Sequence, residues 1–293
     1  MVQFANFGSF RSKFAWTIVL FGVASFRSHA QHIHLNAGAE SAQVGSKLFF
    51  ANGYLYDTKS YGGINPACIF MDTGDALYPK LYTSDASFTA LPATLWAGGP
   101  APGAAEQGAH LQMIVRSVEG PRNAEFSFWQ ENEEGTETTK VFTIPTGTLD
   151  GTNQFSLSQG ITTPELDPFG HIHGRHFSAN KPGLYTVGVQ LIDTSTLGPN
   201  GGPIHSPSDI TYFYFQAGLV VDAIARTNAT TATVRFGTRA FRNYDLESNA
   251  TLDPTAWYKV GEVRWSNHSD LHFLTETNAT TPMRYYRLRE RPQ

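Results

Sequence analysis

Gly183-Leu-Tyr-Thr-Val-Gly-Val-Gln-Leu-Ile192 is the stretch that decides the fold. It is rich in β-branched and aliphatic residues, carries one aromatic, and has no helical stripe; it reads as a strand buried in a sheet. Asp209-Ile-Thr-Tyr-Phe-Tyr-Phe-Gln216 follows across the loop Gly198-Pro-Asn-Gly-Gly-Pro203 and is its natural partner.

Outward from this pair the same pattern recurs. His32-Ile-His-Leu35, Lys47-Leu-Phe-Phe-Ala51 ahead of the turn Asn52-Gly53, and His110-Leu-Gln-Met-Ile-Val-Arg116 all read as strands. Glu125-Phe-Ser-Phe-Trp-Gln130 and Lys140-Val-Phe-Thr-Ile144 flank a polar turn and read as a hairpin. One short helix is expected near Thr83–Ala90. Aromatics make up 13% of the chain and charged residues 16%, with 27 glycines and 16 prolines for turns. The expectation is an all-β chain.

The character changes at Gly218/Leu219. Beyond it, short strands are expected at Leu219–Arg226, Ala232–Phe236, Arg242–Ser248, Tyr258–Val263, His272–Glu276 and Arg284–Leu288. Their spacing suits a small sandwich. The expected organisation is a signal peptide over 1–30, a β-sandwich domain over 31–218, and a smaller β-sandwich module over 219–293.

The first thirty residues carry Arg11 and Lys13 but no acid, then an apolar run from Phe14, then Ser28-His29-Ala30. That order is the one a signal peptide uses, with a cut after Ala30. The run is about a dozen residues, against the about 20 a membrane-spanning helix needs. A secreted or cell-envelope location (periplasm or cell surface) follows, with no integral membrane segment after cleavage. Loss of Arg11, Lys13 and Arg27 moves the formal charge from −4 to −7. An acidic chain with no basic block argues against nucleic-acid partners. Cys68 is the single cysteine, so no internal disulfide can form.

The histidines carry what chemistry the sequence offers. His32 and His34 form one His-x-His pair; His171 and His173 form another. On a strand, residues i and i+2 share a face, so each pair presents two imidazoles side by side. Two such strands brought together would converge up to four nitrogens on a divalent transition metal, zinc first and copper as the alternative. His176, His110 and His205 are further candidate ligands. No Gly-x-Ser-x-Gly elbow, Walker loop, His-Glu-x-x-His or dinucleotide fingerprint occurs, and no catalytic residue is assigned. Four Asn-x-Ser/Thr sequons, at Asn228, Asn249, Asn267 and Asn278, would accept glycans only in a eukaryotic secretory pathway.

Residues 170–185 carry a resemblance. His171, His173, Phe177, Pro182, Gly183 and Tyr185 resemble the His-x-His … Pro-Gly-x-Tyr signature of bacterial surface-anchored repeat domains. These are found in actinobacterial cell-wall proteins and their choice-of-anchor relatives. Val118-Glu-Gly-Pro121 resembles an upstream feature of that family, and His176 stands where the family has Trp. The resemblance implies a role beside a metal-uptake transporter of the zinc and manganese type, or another cell-envelope component, which adds manganese to the metals expected. The tail, with Tyr244-Asp-Leu-Glu-Ser248, Trp257 and Arg284-Tyr-Tyr-Arg-Leu288, is similar to a fibronectin-like module of exported Verrucomicrobia-like proteins. The functional expectation is therefore a non-catalytic exported protein that binds or relays metal. The alternative is a structural or adhesive sandwich that contacts glycan or protein, and a metalloenzyme using the same histidines ranks last.

Overall fold

The structure, a computed structural model, describes residues 33–51, 66–84, 86–93, 100–131, 136–158, 175–281 and 283–292. The proposed signal peptide, His32, His171, His173 and the Asn52-Gly53 turn lie outside the described residues.

The chain is all-β. Its centre is β11 (Gly183–Asp193), which pairs antiparallel with β12 (Thr211–Ala217) on one side and β6 (Leu111–Glu119) on the other. Tyr185, Val187, Val189 and Leu191 alternate along β11 and all are fully buried. Gly188 sits between them on the opposite face. A Cβ there would come within 2.5 Å of the Ser117 hydroxyl and 2.9 Å of the Tyr212 ring, so only glycine fits. β3 (Ile69–Met71) joins β12 in parallel and β9 (Gln154–Ser156) joins β6, which completes a five-stranded sheet.

The facing layer has two sheets. One is β2-β1-β5, with β1 at Ile33–Ala39, β2 at Leu48–Phe50 and β5 at Ala86–Ala90. The other is β4-β10-β7-β8, with β4 at Tyr82–Thr83, β7 at Glu125–Glu131, β8 at Thr138–Pro145 and β10 at Arg175–Ala179. A phenylalanine zipper holds the layers together. Phe213 and Phe215 of β12 meet Phe50, Phe88, Phe177 and Phe126 across the gap, with centroids 4.7 to 5.6 Å apart. Ring pairs in this range each contribute about 0.5–1.5 kcal/mol beyond their burial.

The expected helix at Thr83–Ala90 is corrected: Thr83 ends β4, and Ala86–Ala90 form β5. Ala86, Phe88 and Ala90 are buried. That period of two, with Thr89 on the other face, outweighs the helix preference of the two alanines.

Beyond Gly218 two three-stranded sheets pack face to face. They are β13-β14-β17 (Val221–Asn228, Thr231–Gly237, Leu271–Glu276) and β16-β15-β18 (Tyr258–Val263, Asn243–Asn249, Tyr285–Arg291). Val234, Phe236, Tyr244, Leu246 and Val263 form their core. The apolar residues thus divide into two main cores, the first ending at Ala217 and the second starting at Leu219.

A seam joins the two sandwiches. Ala67 bridges Asp270; the Cys68 N–H donates to the Ser269 carbonyl and the Leu271 N–H to the Pro66 carbonyl, both at 2.9 Å. Cys68, Leu184 and Leu271 are buried together beneath it. Among the described residues no helix is long and apolar enough to cross a membrane.

Candidate functional site

The two His-x-His motifs attach to the starts of β1 and β10. In β1, Leu35, Ala37 and Ala39 point into the core, so His34 and Asn36 occupy the outer face. β5 runs parallel beside it, with Ile33 opposite Ala86 and Asn36 opposite Thr89. The Thr89 hydroxyl donates to Asn36 Oδ1 at 2.7 Å and fixes that polar face. β10 packs against β5 in turn. Its antiparallel register with β4, Ser178 opposite Thr83, runs its first residue Arg175 toward the start of β5. The first residues of β1 and β10 therefore both lie near the start of β5.

His176 takes the outer face of β10, since Phe177 points into the core. It lies opposite Trp129, and its ring is 6.2 Å from that of Tyr78. Tyr78 is buried edge-on against Trp129 at 5.2 Å, Lys140 Nζ lies 5.0 Å over the indole, and the indole N–H donates to Ser178 Oγ at 2.8 Å. His176 is thus packed into an aromatic cluster.

His205 is 1% exposed. Its Nε2 accepts the Glu106 N–H at 2.8 Å, which leaves the proton on Nδ1, facing Ser46 Oγ at 2.9 Å and the Ser46 carbonyl at 3.2 Å. Both ring nitrogens serve the loop, and neither is left for an ion. His110 stands just before β6, where its N–H donates to Asp193 Oδ1 at 2.8 Å. Among the described residues, no three His, Cys, Asp or Glu side chains gather closely enough to hold a metal. His34, His176, His110 and His205 therefore form no centre by themselves.

Asp193 escaped the sequence reading. Its buried carboxylate accepts the N–H groups of His110, Ser195, Ile204 and His205 between 2.8 and 3.0 Å, and the Ser195 hydroxyl at 3.0 Å. An acid at the end of a long strand, with a serine two residues on, was the available signal. The sequons also divide. Asn249 is fully buried; its amide donates to the Asp253 carbonyl at 2.6 Å and its Oδ1 accepts the Thr251 and Leu252 N–H groups. It is a turn-former, closed to glycan transfer in the folded state.

Compared with protein-family models and with curated proteins, the chain matches none. The likeness to surface-anchored repeat domains rests on the motif residues alone.

Proposed function

We propose that this chain is an exported, non-catalytic envelope or secreted protein that holds a divalent transition metal, zinc first, through His32, His34, His171 and His173. The observation that supports it is the placement of β1 and β10. The two segments that bear the His-x-His pairs lead into strands that both begin near the start of β5. Imidazole nitrogens suit zinc or copper, and bound metal would tie together the two strand entries. Export would come from residues 1–30, and a metal-uptake transporter or another envelope component would be the partner.

The test is metal content. Mature protein, made without a histidine tag and dialysed against zinc buffer, is expected to retain close to one zinc per chain. His171→Ala/His173→Ala and His32→Ala/His34→Ala double variants should each lose it. Wild-type protein with no metal, or double variants that keep it, would sink the reading.

A further inference from the structure

A cleft opens where the two sandwiches meet. It has a volume of about 760 Å³ and is lined by Glu119, Pro121, Pro182, Tyr214, Asp222 and Arg235, among others. This volume lies in the range of small-molecule sites. We infer that the cleft is a saccharide-binding site for a neutral oligosaccharide segment. The inference does not rest on the metal reading.

Its walls are built rigidly. Val118-Glu-Gly-Pro121 and Pro182-Gly-Leu-Tyr185, far apart in sequence, bear directly on each other. A Cβ on Gly183, whose φ is +135°, would come within 2.6 Å of Pro121 Cγ. A Cβ on Gly120 would come within 2.7 Å of the Tyr185 ring. Backbone this closely fitted needs glycine at both places. The second sandwich is clamped to this wall by Asp222. Its Oδ1 accepts the Leu184 N–H at 3.1 Å, and its Oδ2 holds Arg235 Nε at 2.6 Å and Nη2 at 2.5 Å. The polar groups are thus set before any ligand arrives.

The charge pattern selects the ligand class. Asp222 and Arg235 neutralise each other, and Glu119, exposed, adds a negative charge. An anionic ligand would face two carboxylates and an already paired guanidinium. A cationic ligand would find a single unpaired carboxylate, the exposed Glu119, whose charge solvent screens. A purely apolar ligand would leave Glu119, the outer edge of the Arg235 guanidinium and the Tyr214 and Thr186 hydroxyls without a ligand partner. A neutral polyol satisfies the whole set. Its hydroxyls donate to Glu119 and Asp222 and accept from the free edge of Arg235, while the C–H face of a pyranose lies on Tyr214 and the two prolines.

The experiment is calorimetric titration of the mature full chain. The probes are tetrasaccharides from cellulose, mannan, xylan and galactan, a sulfated glycan oligomer, and a proline-rich peptide. Binding of at least one neutral tetrasaccharide is expected. It should weaken about tenfold in Glu119→Gln, where a charge-assisted hydrogen bond becomes a neutral one, and in Arg235→Lys, where the free guanidinium edge is lost. Arg235→Lys also disturbs the clamp, so thermal midpoints are recorded for both variants. Glu119 is exposed, and Glu119→Gln keeps the test decisive if Arg235→Lys unfolds. Absence of binding to every neutral probe, binding confined to the sulfated glycan or the peptide, or an unchanged affinity in Glu119→Gln would overturn the inference.

Discussion

Glu276 and Arg284 meet inside the second sandwich at 2.6 Å, with side chains only 4% and 9% exposed. The carboxylate is shared further: Oε1 accepts from Ser248 Oγ at 3.1 Å and from the Tyr258 hydroxyl, and Oε2 from the Tyr286 hydroxyl at 2.7 Å. The guanidinium also donates to the Asn278 carbonyl and lies over the Tyr258 ring. Strands from both three-stranded sheets thus converge on one ion pair.

Glu276→Ala leaves Arg284 charged, buried and without its counter-ion. A loss of about 3–5 kcal/mol is expected. Glu276→Leu/Arg284→Met removes both charges and should recover most of it. Urea unfolding followed by the fluorescence of Trp257 and Trp265, which belong to this sandwich, measures both. A double variant no more stable than Glu276→Ala would show that the pair is not the dominant contact.

Asp193→Ala strips acceptors from four backbone N–H groups and one hydroxyl around the His205 loop. An unsatisfied buried donor costs about 1–3 kcal/mol, and partial relaxation should hold the total near the upper figure. The amides of Ile204 and His205 should exchange with solvent far faster in the variant, as read by hydrogen exchange. Unchanged protection there would contradict the role assigned to the carboxylate.

Acid should weaken the second sandwich in two stages. Burial pushes the pKa of His272 down against the pull of Asp270. Burial pushes Asp245 up, but hydrogen bonds from Lys259 and Arg289 and the charges of Lys259 and Arg291 outweigh it and hold the carboxyl below its ordinary value. In both groups the unfolded chain takes the proton more readily. Each contribution is therefore complete above the unfolded pKa, about 6.5 for histidine and about 4 for aspartate, and is lost as pH falls through the folded one. The thermal midpoint should fall below about pH 6.5 and again below about pH 4. His272→Gln should flatten the upper stage and Asp245→Asn the lower.

Cys68 should be inert to thiol reagents in the folded protein. It is 1% exposed, and burial, with the nearby Asp270 charge, pushes its pKa far up. Labelling with a disulfide reagent should proceed only as fast as the seam opens, and should speed up in Leu271→Ala. Rapid native labelling would mean that the seam is looser than its hydrogen bonds indicate.

The strands that could be read from sequence were those whose periodicity is strong by itself. β11 and its partner β12, the β7–β8 hairpin and all six strands beyond Gly218 fall within a few residues of expectation. β3 and β9 escaped because three residues carry too little pattern to be told from loop. β5 escaped because alanines mask its alternation. The histidine pairs were visible as spacing, but a ligand set is a property of strand order, which sequence spacing does not encode. His205 shows the gap well: as a letter it is a candidate ligand, and in place both its nitrogens bind the protein's own loop. The two glycine–proline segments of the junction cleft stood out in the sequence as parts of one resemblance, but nothing in their spacing showed that they meet.

The seam also has a consequence in time. Ala67 and Cys68 belong to the early part of the chain, yet their partners Ser269, Asp270 and Leu271 come near its end. Every described strand of the first sandwich has left the ribosome before those partners exist. A short stretch at Pro66–Cys68 must then wait with unpaired backbone groups, next to a β3 that β12 has already claimed. Closure of that stretch is the last backbone pairing the first sandwich can complete. A chain cut short before Ser269 would keep its phenylalanine zipper but carry an open edge, ready to pair with a neighbour.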